Sequence, residues 1–297
     1  MLLKIATRGS ALALKQTQKV IQLLSSSAPE IHFEVVVVST IGDRDQTSSI
    51  SDVGGQGIFV TDVQSAVLSH KADLAVHSAK DLQALTIDGL TLASVPERAD
   101  PRDVLIGSRW EDLPKGATVA TGSVRRRSHL LHLRPDLNFC DLRGNIETRL
   151  SKTKDSDALV IAKAALDRLK LSPEKAEPLD YSILLPQVGQ GALAVECRIG
   201  DSFLIEVLQK IENSKIRKSV DSERAFLAEI GSGCSLPVAA FAEPSGSGFF
   251  LKAAVASLDG SILIKVEEFG NYPQELGQKV ANKILNEQGG KNLLEGA

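Results

Sequence analysis

The feature that most constrains this chain is an alternation, through its first two-thirds, of short apolar β-branched runs with segments of helical period. Residues 2–6 read as a buried strand. Ser10 can cap a helix whose Ala13, Thr17, Val20, Ile21 and Leu24 share one face. Residues 33–38 form a second strand, 58–68 a helix, and 74–76 and 90–95 two more strands. Strands separated by helices predict an α/β fold with parallel pairing and right-handed crossovers.

The pattern breaks at Pro96-Glu97-Arg98-Ala99-Asp100-Pro101, where two prolines disfavour both helix and central strand. A second block follows, with strands at 104–106, 118–120, 137–140 and 159–161 and helices at 124–133, 146–150 and 164–169. Another break, Pro186 to Gly191, suits a chain crossing back to the first block. After about Asn213 the style changes to a long amphipathic helix, then strands at 238–242, 249–257 and 262–269, and a closing helix at 274–285. Asp259-Gly260 marks a hairpin between the last two strands. The expected domains are 1–96 with 192–209, then 101–185, both α/β, and an α+β unit over 214–297. No internal repeat is visible in the sequence.

Composition enters as a filter. The 297 residues carry a net charge of −3 and only 4% aromatics, which argues against a nucleic-acid partner. Three cysteines, Cys140, Cys197 and Cys234, are too few and too scattered for a disulfide framework or a metal site. No apolar run is long enough to span a bilayer, and the first residues lack a signal-peptide core. These observations predict a soluble, reduced, cytoplasmic protein with no membrane partner and no metal; a monomer is expected, although nothing in the composition fixes the oligomeric state.

Charge is distributed unevenly. Nine of the 15 arginines lie between Arg98 and Arg149. Arg125-Arg126-Arg127 opens a helix just after Thr121-Gly122-Ser123, and Arg143-Gly144-Asn145 opens the next. Guanidinium groups and free N–H groups at helix starts make an anion cradle suited to carboxylate or phosphate. A solvated basic helix face fits the same spacing. His77-Ser78-Ala79-Lys80-Asp81 follows a strand, the usual position of a site in an open sheet. There Asp81 could be an acid/base, a stabiliser of positive charge or a helix cap, and His77 a core residue. Cys234 lies in a Gly/Ser loop that would leave a thiol accessible, whereas Cys140 and Cys197 read as packing residues. Gly189-Gln190-Gly191-Ala192-Leu193-Ala194 fits a dinucleotide fingerprint in letters only, because it is not a strand–turn–helix.

Several segments in order resemble the porphobilinogen deaminase (hydroxymethylbilane synthase) family. They are Ala6-Thr7-Arg8-Gly9-Ser10, Val53-Gly54-Gly55-Gln56-Gly57, Ala75-Val76-His77-Ser78-Ala79-Lys80-Asp81 and Glu97-Arg98-Ala99-Asp100-Pro101-Arg102-Asp103. The series continues with Ser123-Val124-Arg125-Arg126, Leu142-Arg143-Gly144-Asn145, Val188-Gly189-Gln190-Gly191-Ala192, Ser222-Glu223-Arg224-Ala225-Phe226-Leu227 and Gly233-Cys234. The resemblance implies two domains like the halves of a periplasmic binding protein and a third carrying the cofactor. That cofactor would be a dipyrromethane joined by a thioether to Cys234. Its outer ring would attack porphobilinogen that has lost ammonia, and four additions would build hydroxymethylbilane, an intermediate of haem biosynthesis.

The resemblance further implies that Asp81 is catalytic. Arg8, Arg125, Arg126, Arg143, Arg149 and Arg168 would bind carboxylates, assisted by Ser10, Ser78, Lys80, Thr121, Ser123 and Gln190. The segment 43–56 reads as a lid over the cleft, packing through Ile58 and Phe59. Departures from the family pattern are Asp52, Gln56, Gln83, Arg127 and Ser232. A non-catalytic small-anion-binding protein of periplasmic-binding-protein architecture is the competing reading.

Overall fold

The computed structural model describes residues 1–40, 60–231 and 236–295. They divide into two compact units, Met1–Arg98 with Ala192–Lys218, and Ala99–Gly191 with Ser219–Ala297. Elements are numbered along the chain.

The first unit is built on β1 (Leu2–Arg8), α1 (Ala11–Ser27), β2 (His32–Val38), α2 (Thr61–Leu68), β3 (Leu74–Ser78), β4 (Leu90–Ser94), β10 (Leu193–Arg198) and α6 (Ser202–Gln209). Its five strands run in the order β2-β1-β3-β10-β4. β1 pairs parallel with β2 and β3, from Leu2 against His32 to Arg8 against Val38 on the first side. Val20 and Leu24 of α1 and Leu204 and Leu208 of α6 pack with Leu3, Ile5, Leu74, Val76 and Val195. Val63 and Val67 of α2 pack instead with Ala6, Ala75 and Leu90, whose neighbours in the strands point the other way. Both sheet faces are therefore covered, which is why β1 and β3 read as nearly continuous apolar runs.

The second unit repeats that plan with different residues. β5 (Asp103–Ile106), β6 (Thr118–Ala120), α3 (Val124–Leu133), β7 (Asn138–Cys140), α4 (Ile146–Ser151), β8 (Ala158–Ala162), α5 (Lys163–Leu169) and β9 (Ala176–Pro178) give a sheet of order β7-β6-β8-β5-β9. β6 lies parallel to β7 and β8. The remaining elements are α7 (Ser214–Ile230), β11 (Val238–Ser245), β12 (Gly248–Ala256), β13 (Leu263–Gly270), α8 (Pro273–Asn282) and α9 (Gly290–Glu295). The last three strands form an antiparallel meander in sequence order. Phe226 and Ile230 of α7 and Leu276 and Val280 of α8 cover it.

Pairing is not purely parallel, and this corrects the sequence reading. β10 is antiparallel to β3 and β4, and β5 is antiparallel to β8 and β9. Each of these strands is the first laid down after the chain passes between units, at Arg98/Ala99 and at Gly191/Ala192. A strand that follows no crossover helix of its own sheet is free to enter in the opposite direction. Two passages touch closely: Ala99 N–H donates to Gly191 O at 3.0 Å, and a Cβ on Gly191 would sit 2.4 Å from Ala99 O. Gly191, at φ +86°, is the residue that permits this approach.

Three smaller differences have local causes. β9 is three residues ending in Pro178 at a sheet edge, too short for a periodic signal. α6, capped by Asp201, which accepts from Leu204 N–H, was not anticipated. The closing helix ends early: α8 stops at Asn282 and gives way to a wider turn over Lys283–Glu287 before α9. The packing roles read for Cys197 and Cys140 are seen, in the cores on one face of each five-stranded sheet.

Candidate functional site

In the first unit the carboxyl ends of β1 and β3 open into a small concavity of about 50 Å³ lined by Arg8, Ser10, Gln16, His77, Ser78 and Asp81, among others. Ser10 caps α1 by accepting from Ala13 N–H at 3.3 Å, and this turns the chain directly after Arg8. Gln16, one turn and a half into α1, donates to Ser78 Oγ at 2.7 Å. After Ser78 the backbone makes one tight turn, Ala79–Asp81, pinned where Ala79 N–H donates to Ala192 O. Lys80 and Asp81 are half-buried on that turn. Asp81 makes no hydrogen bond or ion pair among the described residues, so it is not the helix cap that the sequence also allowed.

Beneath this concavity lies a polar cluster that sequence reasoning missed. Glu196, 1% exposed on β10, has its Oε2 2.8 Å from Gln64 Nε2 and 3.2 Å from His77 Nε2. His77 is thus both a core residue and part of the wall. The available signal was Glu196 itself, a carboxylate in a run otherwise buried on both faces, which must find partners inside.

In the second unit the arginines occupy two settings. Ser123 caps α3, accepting from Arg126 N–H at 3.4 Å, while Thr121 Oγ1 accepts from Ser123 N–H at 3.3 Å. Arg125 and Arg126 turn inward and are almost wholly buried. Both reach Asp103, which heads β5 and has no solvent exposure. Arg125 Nη2 donates to one carboxylate oxygen at 2.7 Å, and Arg126 Nε and Nη2 to the other at 3.0 and 2.7 Å. Gln190 Nε2 joins at 3.0 Å and also donates to Pro101 O at 2.7 Å. Burial alone would raise the Asp103 pKa; the charges of Arg125 and Arg126, with hydrogen bonds from Arg125 and Gln190, hold it at about 2 instead. Arg127, next in the chain, is 42% exposed and lies 3.3 Å from Asp141.

The other predicted arginines of this unit lie on later elements. Arg143 is half-buried and makes no hydrogen bond or ion pair among the described residues. Gly144, at φ +105°, lets the chain enter α4, where Asn145 accepts from Thr148 N–H and Arg149 Nε donates to Gly144 O, both at 2.8 Å. Arg168 Nη2 donates to Gly191 O at 2.8 Å. The structure therefore groups Arg8, Ser10, Ser78 and Asp81 in one unit, and Arg125, Arg126 and Gln190 around Asp103 in the other. Cys234, Ile58 and Phe59, with the segment 43–56, lie outside the described residues.

Two further carboxylates were missed. Asp103 belonged to a motif but was given no role, although it places a charge at the head of a strand buried throughout. Glu223, fully buried on α7, accepts from Gly189 N–H at 2.7 Å and from Ala242 N–H at 2.9 Å.

Residues 3–206 match the family model described as porphobilinogen deaminase, dipyromethane cofactor binding domain, and residues 218–286 match that of the porphobilinogen deaminase C-terminal domain. The chain belongs to the porphobilinogen deaminase family. A porphobilinogen deaminase of Syntrophus aciditrophicus is 42% identical over 300 residues, covering 99% of this chain and 98% of that protein. Those of Brevibacillus brevis and Bacillus subtilis are 40% identical over 298 residues and 39% over 300, covering 98% and 99% of this chain and 96% and 95% of their own lengths. Among solved structures the methionine binding protein MetQ aligns with a TM-score of 0.45 at 11% identity, over 75% of this chain and 94% of its own. A deaminase-family match through both the cofactor-binding and C-terminal regions does not favour the non-catalytic anion-binding reading.

The residues present fit a dipyrromethane, whose pyrrole rings carry carboxylates and N–H donors. Arg125 Nε is buried without a hydrogen-bond partner, and Arg143 and Asp81 have open hydrogen-bonding capacity among the described residues. Within the second unit the two arginines are cationic donors suited to the carboxylates, and within the first Asp81 is an anionic acceptor suited to a pyrrole N–H.

Proposed function

We propose that this protein condenses four porphobilinogen molecules, with loss of four molecules of ammonia, on a dipyrromethane held by a thioether to Cys234, and that water then cleaves the chain from the dipyrromethane to release hydroxymethylbilane. The bound dipyrromethane supplies the pyrrole α-carbon that attacks each incoming substrate. The observation that carries this reading is the match of both family models, in order, along one chain.

The chain's own residues divide the work. Each porphobilinogen brings an acetate and a propionate, so elongation accumulates carboxylates that need cationic partners. Arg8, Arg125, Arg126, Arg143, Arg149 and Arg168 supply them, with Ser10, Ser78, Lys80, Thr121, Ser123 and Gln190 donating neutral or single-point hydrogen bonds. Loss of ammonia leaves a cation on the substrate. Asp81 provides a negative charge for it, and a carboxylate with no internal hydrogen bond keeps its acceptor capacity for the substrate. The same carboxylate can hold a proton during coupling.

The three-domain division into 1–96 with 192–209, 101–185 and 214–297 belongs to this proposal, supported by the three separate sheets. We also propose a cytoplasmic, monomeric protein; the net charge of −3 supports only the further proposal that it has no nucleic-acid partner. Among the described residues no helix is long and apolar enough to cross a membrane.

The intact mass of the purified full-length protein tests the reading. Wild type should carry an adduct of two pyrrole units and convert porphobilinogen. Cys234→Ser should lose both adduct and activity, while Cys140→Ser and Cys197→Ser keep them. A bare wild-type chain that also fails to consume porphobilinogen overturns the proposal. An adduct mapped to Cys140 or Cys197 overturns the attachment site.

A further inference from the structure

Asp103 shares its single negative charge between two guanidinium groups in a region without solvent. The Arg125–Arg126–Asp103 cluster consequently has a formal excess of one positive charge. Each guanidinium is fixed at a second point as well. Arg125 Nη1 donates to Leu185 O at 2.5 Å, and Arg126 Nη1 donates to Val160 O at 2.9 Å. A planar group held at two edges has little freedom left, so both forks are oriented before any ligand arrives. Without Asp103 the adjacent cations would repel each other at low dielectric and turn apart. Gln190 connects the carboxylate to Pro101 O, so the same anchor also fixes the side chain of a proposed binding residue. The donor left over is Arg125 Nε, buried with no partner. If stability were the only return, apolar side chains of similar volume would serve as well as this buried ion cluster.

We propose that Asp103 is a positioning residue of the carboxylate-binding site: it holds Arg125 and Arg126 as a pair carrying one uncompensated positive charge, preset to receive a carboxylate of the tetrapyrrole chain. The proposal rests on the reading of Arg125 and Arg126 as carboxylate-binding residues. It adds a reason for their being adjacent: one guanidinium alone on Asp103 would be neutralised, and two leave a charge for the ligand.

Asp103→Glu and Asp103→Asn, prepared as full chains, test it through steady-state kinetics with porphobilinogen and through adduct occupancy by intact mass. Asp103→Glu keeps the charge and displaces it by one methylene, so it should fold. Its KM should rise about tenfold, the fold-change expected for misaligning one charge-assisted hydrogen bond, with kcat changed much less. Asp103→Asn should show a larger KM rise and incomplete adduct occupancy; if it does not fold, the Glu variant decides alone. A folded Asp103→Glu variant with wild-type KM and full occupancy, differing only in melting temperature, overturns the proposal and leaves Asp103 a structural ion pair. Failure of the functional reading is separately visible, because wild type itself would then lack adduct and turnover.

Discussion

Asp81 in the first unit and Asp103 in the second are carboxylates placed next to strand ends, yet their surroundings are opposite. Asp103 is fully buried and accepts four hydrogen bonds from Arg125, Arg126 and Gln190. Asp81 is half-buried and has no such partner among the described residues. A carboxylate removed from water must complete its bonds inside the protein. One that serves a reaction must keep its bonding capacity open for the moment charge develops. The arginines divide in the same way: Arg125 and Arg126 are largely committed to internal partners, whereas Arg143 is not.

The largest expected effect follows from that contrast. Asp81→Asn should slow turnover by about a hundred- to thousandfold, the range for removing one preorganised electrostatic contact in a transition state. Its melting temperature should stay close to wild type, because no internal bond is lost. Asp103→Asn should do the reverse first, destabilising the fold by about 3–5 kcal/mol as two buried guanidinium groups lose their counter-charge. Measuring kcat and melting temperature for both variants checks this. Equal losses of stability would erase the distinction.

Acid should next separate two buried groups within the second unit. His129 on α3 is buried, with Nε2 3.3 Å from Pro237 O, and burial, then the nearby Arg125 charge, pushes its pKa down to about 3. The unfolded chain takes up that proton near pH 6.5, so stability falls as pH drops below 6.5 and continues to fall toward 3. Asp103 contributes in a lower window. Its folded value of about 2 lies below the unfolded one, so its contribution is complete above about pH 4 and is lost as pH falls through 2. Between pH 7 and 4.5 only the histidine contribution changes appreciably, by about 2–3 kcal/mol. Urea titrations of wild type and His129→Gln at those two pH values should show the variant losing less stability. Parallel losses would assign the acid sensitivity elsewhere.

How much of this was legible follows physical lines. The alternation of strands and helices and the turn carrying Asp81 could be read because each depends on local period or position. The inward direction of Arg125 and Arg126 could not, since three successive arginines sweep through more than half a helical turn. Their partner Asp103 lies in another strand, and nothing local announces it. The shared plan of the two five-stranded sheets was hidden for a different reason. Topology repeats there without repeated residues, and the direction in which β5 and β10 enter their sheets is not written in an apolar run. Cys234 was read from its loop and from family resemblance, two lines that agree without a structural one.

Arg143 sharpens the comparison with a smaller effect. Arg143→Leu removes a cation that stabilises nothing internally, so activity at low substrate should fall about tenfold, with an unchanged melting temperature. Arg126→Leu should lower both, because it also strips hydrogen bonds from Asp103 and from Val160 O.

The smallest effect belongs to Arg127, although it stands between these residues in sequence. Its guanidinium is 42% exposed, and its partner Asp141, at 3.3 Å, is 67% exposed. An ion pair this wet contributes between zero and about 1 kcal/mol, and salt screens it further. Arg127→Leu should therefore change kcat, KM and melting temperature only within about twofold and 0.5 kcal/mol. Should Arg127→Leu lose as much activity as Arg126→Leu or Arg143→Leu, carboxylate recognition would depend on the summed positive field of the region. The division between committed and open side chains would then have no bearing on catalysis. A normal Arg127→Leu enzyme beside two impaired ones, with only Arg126→Leu also less stable, would place recognition in individual oriented contacts.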